Sequence, residues 1–321
     1  MSNISPYAAV HNSGSNYFDR VSIDINATHK IPLPSLTQKL RHRPPVVNRA
    51  RLLLVVILMR LNIFPLLVTS GLLNGWYIDF CYYWTNILQC RPLWSTTEFF
   101  SLLHDYRKAS ISSSSYVWSD LGQHIANWQR PEKIYLTFHY ARKLALRPII
   151  HASFWKYLKN SSSVLEFGCS LAPYYYCYKT FFNDKICAWN LADIPNYPFH
   201  YAKYKYRNDP VLFFTIFSAQ DAHGVFAGKL YDCIICVEVF EHLDNPLEVA
   251  KNMISSLKQN GILVFDYIES DATELDHPIA LRDRKVTLDY IFENTSLIEG
   301  TITDSYRDLR RCIVQKTDTI I

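Results

Sequence analysis

The chain of 321 residues is long enough to bury a full core in one large or two small domains. Its 33 basic and 29 acidic residues leave a formal charge of +4, too balanced to mark a nucleic-acid surface. Aromatic residues make up 15% of the chain, with 22 tyrosines, an excess read as packing rather than as a ligand platform.

Residues 1–48 are rich in Ser, Asn, His and Pro and show no sustained period, and Pro32, Pro34, Pro44 and Pro45 break any regular element. They read as a loosely ordered arm without the early basic-then-apolar block of a secretory signal. Residues 49–92 are a hydrophobic segment. Leu52–Met59 is wholly apolar, and Leu61–Ile78 carries no charge until Asp79. About 20 such residues suffice to cross a bilayer. Arg41, Arg43, Arg49 and Arg51 precede the run and orient a span with its N-terminus cytoplasmic. Arg60, Asn62, Pro65, Gly71 and Asn74 oppose one, since a mid-span charge costs roughly 2.5–3.5 kcal/mol. Two readings stay open for 52–78: a membrane-associated tether, or a buried or interface-lying helix pair broken at Pro65.

Residues 93–160 read as helical. Thr96-Thr97-Glu98 opens a helix whose apolar face is Phe99, Phe100, Leu103 and Tyr106, and Ile111–Ser115 follows as a link. Leu121–Trp128 is amphipathic. Pro131 starts a helix over Glu132–Leu146, and Phe154–Leu158 leads onward.

Residues 161–321 alternate strand and helix. Val164–Phe167 is a short apolar strand that ends at Gly168, with the small residues Ser170 and Ala172 following at spacing two. Small side chains there let a nucleotide-like ligand approach the backbone, and Glu166 stands at the strand's end. Pro173–Phe182 is the next helix, whose positive N-terminal end would face a bound ligand and favour its carboxylate. Strand Ile186–Leu191 delivers Asp193, 25 residues after Gly168, where a Rossmann-like unit places an acid for ribose hydroxyls; a plain turn before Ile194-Pro195 is the alternative. Val211–Phe217 is a third strand. Asp232 begins a fourth through Val237, followed by Glu238, Glu241 and His242 in a turn. Asn245-Pro246 opens a helix striped by Leu247, Ala250, Ile254 and Leu257, with Asn260-Gly261 as its left-handed end. Ile262–Tyr267 is the fifth strand. Asp283 caps a helix through Phe292, and the loops Glu269–Asp271 and Glu274–Pro278 before it lie over the strand ends, where substrate would sit. Leu297–Thr303 and Arg311–Gln315 alternate as two last strands.

The eight cysteines read as free thiols of a reducing, cytoplasmic compartment. Cys233 and Cys236 have the gap of a metal knuckle. They lie on a strand and lack a second pair, so no metal site is expected.

Glu166-Phe-Gly168-Cys-Ser170-Leu-Ala172 resembles the first motif of class I S-adenosylmethionine-dependent methyltransferases, acid-x-Gly-x-Gly-x-Gly, and departs from it at Ser170 and Ala172. The run YDCIICVEVFEHLDNP, with its following helix and strand, is similar to the matching part of many small-molecule methyltransferases. The resemblance covers roughly residues 130–321. It implies a Rossmann-like, seven-stranded, mostly parallel α/β sheet with helices on both faces, here with an N-terminal helical extension. It also implies S-adenosylmethionine as cofactor and a small-molecule acceptor, which the apolar 52–78 would make lipidic. The cofactor-binding positions implied are Glu166, Gly168, Ser170, Ala172, Asp193, Asp221, Ala222, Val237 and Glu238, with Asp221 and Ala222 reading adenine. Helices before the first strand cover the pocket in this family, which makes His124, Trp128, His139 and His151 candidates to touch substrate. Methyl transfer is an in-line displacement in which alignment matters most, and a base helps when the acceptor must lose a proton. His242 is the candidate base, with hydrogen bonding to the backbone to shape the loop as the alternative, and Glu241 either orients it or caps the following segment. Two other classes remain: a non-catalytic methyltransferase-like binding protein, and a nicotinamide-dependent oxidoreductase, which the missing G-x-G-x-x-G disfavours.

Overall fold

In a computed structural model of the chain, the described residues are 76–88, 90, 96–112, 116, 118, 121–146, 153–182, 186–217, 224–268, 276–302, 306 and 309–317. The expected arm at 1–48, most of the apolar run at 52–78, and His151, Asp221 and Ala222 lie outside them. Among the described residues, no helix is long and apolar enough to cross a membrane.

The chain divides into two compact units. One comprises residues 22–114 and 130–148. Its described elements are α1 (Trp76–Tyr82), α2 (Thr96–Ser112), a 3-10 turn over Pro131–Ile134, and α4 (Tyr135–Leu146). Aromatic rings make its core. Phe138 lies 4.6 Å from Phe80, 4.9 Å from Phe99 and 5.2 Å from Trp84, centroid to centroid. Here the aromatic excess serves packing, as edge and tilted contacts between buried rings. The buried face of α2 is Phe99, Leu102 and Tyr106. Phe100 and Leu103, expected inside, are only partly covered, because each lies one residue off the 99-102-106 stripe whose three-then-four spacing faces inward.

The other unit comprises residues 1–21, 115–129 and 149–321. It holds α3 (Leu121–Trp128), β1 (Ser163–Phe167), α5 (Pro173–Phe181), β2 (Ala188–Asp193), α6 (Tyr197–Lys205) and β3 (Leu212–Ile216). Then come β4 (Tyr231–Cys236), α7 (Pro246–Ser255), β5 (Leu257–Phe265), α8 (Pro278–Glu293), β6 (Thr295–Glu299) and β7 (Cys312–Lys316). The seven strands form one sheet in the order β3-β2-β1-β4-β5-β7-β6. β1 to β5 are parallel, and β7 runs antiparallel to both β5 and β6. This is the Rossmann-like arrangement expected, with the late hairpin at one edge. Val164 to Phe167 are all buried, the mark of a strand covered on both faces. Strand order reverses between β1 and β4, and the crevice at such a point lies beyond the carboxyl ends of the strands.

Strands β2, β5, β6 and β7 are shifted by one to five residues from their expected ends, and two helix boundaries differ in kind. α7 stops at Ser255, and Asn260-Gly261 lies inside β5, where Asn260 takes φ 60°. The pair forms a bulge, with register shifting between Tyr231 and Cys233 of β4. A Cβ on Gly261 would fall 2.9 Å from the Lys258 carbonyl oxygen, so close backbone approach and not helix termination requires glycine there. α8 begins at Pro278 and not at Asp283, because the Nδ1 of His277 accepts from the Ile279 amide and caps the helix. None of the eight cysteines is in a disulfide, and seven are buried. Among the described residues, no three His, Cys, Asp or Glu side chains are grouped to hold a metal ion.

Candidate active site

The turn after β1 is built from alternating left-handed residues: Gly168 at φ 65°, Ser170 at φ 51° and Ala172 at φ 53°. Left-handed backbone costs a side-chain-bearing residue roughly 1–2 kcal/mol, so surrounding bonds must hold it. They are present. The Gly168 and Cys169 amides donate to the Ala192 carbonyl at 2.8 and 3.2 Å, and the Ser170 amide donates to Asp193 Oδ2 at 2.6 Å. Ser170 and Ala172 thus keep the backbone path that glycines would take.

Glu166 accepts from the Tyr174 and Tyr175 amides at 3.2 and 3.0 Å, occupying the first turn of α5. That helix end, expected to face a cofactor carboxylate, already holds a carboxyl group of the chain. Burial pushes the Glu166 pKa up to about 8 against these two bonds, with the Asp193 charge adding to the rise. Asp193, at the end of β2, also accepts from the Ile194 amide and from Asn196 Nδ2. Its pKa is pushed up to about 7, again by burial. The structure therefore brings Glu166, Gly168, Ser170, Ala172 and Asp193 together around one loop.

Beyond β4, Val237 is half-buried and Glu238 is exposed at φ 58°. The Glu238 amide donates to Asp266 Oδ1 at 2.6 Å, which fixes that left-handed corner. Val239 closes on the first turn, and a Cβ at Gly168 would stand 2.4 Å from its Cγ2. Phe240–His242 then forms a 3-10 turn. His242 Nδ1 lies 3.2 Å from Asp276 Oδ1, whereas its Nε2 is 3.9 Å from Glu241 Oε1. Sequence reasoning paired His242 with Glu241; the carboxylate within hydrogen-bond reach is Asp276. Asp276 is brought there because the His277 amide donates to the Glu241 carbonyl at 2.8 Å, tying the start of α8 to the turn.

Glu241 is buried, and its Oε2 has no hydrogen-bond partner among the described residues. Burial pushes its pKa up to about 8, with Asp266, Asp276 and Glu238 adding negative charge. α3 covers the same turn. The Trp128 ring sits edge-on to His242 at 5.0 Å, and Trp118, His124 and His277 form a trio with centroids 5.0–5.6 Å apart. His124 is held neutral, its pKa lowered to about 3 by burial and by the charges of His277 and His242. Of the four substrate-side candidates, His124 and Trp128 thus join His242. His139 belongs to the other unit. Asp276 and His277 belong to the loop Glu274–Pro278, expected over the strand ends where substrate would lie, with no role assigned to either. Trp118, Asp266 and Val239 carry no local signal of their own.

A family described as "Methyltransferase domain" matches residues 138–299, just over half of the chain. The ubiquinone biosynthesis O-methyltransferase of Rickettsia canadensis (strain McKiel) is 40% identical over 42 residues, 13% of this chain and 18% of that protein. The protein of the same name from Rickettsia typhi (strain Wilmington) is 42% identical over 40 residues, 12% of this chain and 16% of its own. The chain therefore matches less than a fifth of the length of these curated relatives. Among solved structures, the N-methyltransferase NodS from Bradyrhizobium japonicum WM9, in complex with S-adenosyl-L-homocysteine, is 17% identical with a TM-score of 0.38, covering 55% of this chain and 87% of NodS. LaPhzM is 10% identical with a TM-score of 0.43, covering 68% and 73%.

Proposed function

The chain belongs to the methyltransferase-domain family, and on that premise we propose that it is a class I enzyme transferring a methyl group from S-adenosylmethionine to a hydroxyl of a small molecule. The observation that carries this reading is the left-handed alternation at 168, 170 and 172, kept by a bond network even where side chains oppose it. The residues present fit the cofactor. The Gly168–Ala172 turn, Asp193, Val237 and Glu238 would hold it, with Glu166 bracing the turn through α5 and with Asp221 and Ala222 following β3. When bound, the cofactor supplies a methyl group on a positively charged sulfur, and the exposed acid Glu238 suits that charge.

The task of the chain is alignment and proton handling. His242, in the turn after β4, takes the proton of the acceptor; Glu241 stands beside it as a carboxyl group that burial keeps protonated at neutral pH. α3 shields the turn from water with Trp128. A hydroxyl acceptor accords with the O-methyltransferases the chain resembles, and the apolar run 52–78 favours a lipidic one. The eight free thiols suit a reducing compartment.

Calorimetric titration of the purified chain tests the reading. Saturable binding of S-adenosylmethionine and S-adenosylhomocysteine, without binding of NAD, is expected. Binding of NAD, or of none of the three, overturns it.

A further inference from the structure

We propose that Asp276 is the positioning residue of His242, and that the acceptor's polar groups sit against His242, Trp128, Glu241 and His124. The proposal rests on the methyltransferase reading above and extends it to residues outside both sequence motifs.

Geometry assigns the partner. Asp276 Oδ1 is 3.2 Å from Nδ1 of His242, and Glu241 Oε1 is 3.9 Å from Nε2. A carboxylate accepts only, so Asp276 takes the Nδ1–H and leaves Nε2 as the acceptor nitrogen of the neutral ring. The His277-to-Glu241 backbone bond holds the two segments in register, and His277 is itself fixed as the cap of α8. Asp276 therefore stands on the rim of a packed helix rather than on a passing loop.

Three buried polar atoms around this ring lack partners among the described residues: Trp128 Nε1, Glu241 Oε2 and His124 Nδ1. Leaving such an atom unpaired is costly, and three on one side chain's neighbours mark a place where a ligand completes the bonds. Glu241 and His124 are 4% and 5% exposed, so bulk water does not reach them freely. The ligand class that fits carries a hydroxyl for Nε2 and at least one further oxygen for the indole N–H or the Glu241 carboxyl. The charged and titratable groups facing His242 are Glu241 of its own turn, Asp276 and His277 at the start of α8, and His124 of α3.

Nε2 of His242 would take the proton as the acceptor O–H bond breaks. With the cofactor bound to supply the methyl group, the freed oxygen pair would bond the methyl carbon while the carbon–sulfur pair stays with sulfur. Asp276 stays ionised and offsets the imidazolium charge. The imidazolium then gives its proton to water once product has left.

Nitrogen NMR of the full chain labelled at histidine reads the ring directly, with neither donor nor acceptor present. The parent His242 should show the Nδ1–H tautomer in its neutral form. Asp276→Asn should lower its proton affinity about tenfold and mix the tautomers, and Asp276→Glu should restore part of the effect. Glu241→Gln should leave the tautomer unchanged. An Nε2–H tautomer in the parent overturns the proposal by itself, even if the Asp276 variants fail to fold. A ring unmoved in folded Asp276→Asn, or inverted in Glu241→Gln, does the same. Because this measurement needs no cofactor, its failure is separate from a failed titration with S-adenosylmethionine.

Discussion

Gly168 and Val239 meet so closely that a Cβ on the glycine would lie 2.4 Å from Cγ2 and 2.9 Å from Cγ1 of the valine. The contact joins the turn after β1 to the turn after β4, the two halves of the candidate site. At φ 65° a side chain also carries the left-handed penalty. Gly168→Ala should therefore lower stability by roughly 2–4 kcal/mol and abolish measurable cofactor binding. Adding Val239→Ala removes both clashing methyls and should recover part of the binding. Denaturant unfolding and calorimetry check both; parent-like affinity in Gly168→Ala would contradict the role given to this turn.

Ser170 predicts the opposite sign. It is half-buried and left-handed, and its amide alone reaches Asp193. Ser170→Gly keeps that bond and removes the steric cost. Stability should rise by about 1 kcal/mol, less the extra entropy lost by glycine, with affinity for S-adenosylmethionine equal to or above the parent's. A destabilised variant argues that the hydroxyl has a partner of its own.

Asp193 has both oxygens engaged: Oδ2 by Ser170, and Oδ1 by Ile194 and Asn196. An asparagine can accept on one side only, so Asp193→Asn leaves an amide facing an N–H. Unfolding free energy should fall by roughly 1–3 kcal/mol and the dissociation constant for the cofactor should rise at least tenfold. Equal affinity in a folded variant places the ribose contact elsewhere.

Stability should depend on pH in a defined window. Burial raises the folded pKa of Glu166 and Glu241 to about 8 and of Asp193 to about 7, all well above the unfolded carboxylate range. The folded state then binds more protons than the unfolded state through neutral pH. The stability these groups contribute is complete below their unfolded pKa values and is lost as pH rises through 7 and 8. His124, lowered to about 3, is neutral in both states above its ordinary 6.5 and adds little slope there. Lys203, lowered to about 8, acts in the other sense only above that value. Calorimetric melting temperature should fall by several degrees between about pH 6.5 and 8. Glu166→Gln should flatten the decline, and a rising profile in the parent would count against the buried acids.

Local chemistry made much of this chain readable from its residues. Val164–Phe167 with Gly168, and the apolar run before Glu238, are complete signals within a dozen residues, since burial on both faces favours apolar side chains around the one acid Glu166 and a tight exit requires glycine. The strand end at Asp193, the proline-led starts of α5 and α7, and the amphipathic α3 were legible for the same reason. Asn260-Gly261 was not, because a helix end and a β-bulge use the same left-handed residue, and only pairing with β4 distinguishes them.

The site itself divides along the same line. The identities of Glu166, Gly168, Asp193 and His242 are properties of short motifs. That Asp276 and not Glu241 reaches the His242 ring depends on where α8 begins, and that depends on His277 turning back to cap it. Adjacent residues in a tight turn point their side chains apart, while a distant segment can be folded against either one. Sequence spacing measures chain length, not the direction of a side chain, so the partner of His242 was decided only when the sheet brought the two loops together.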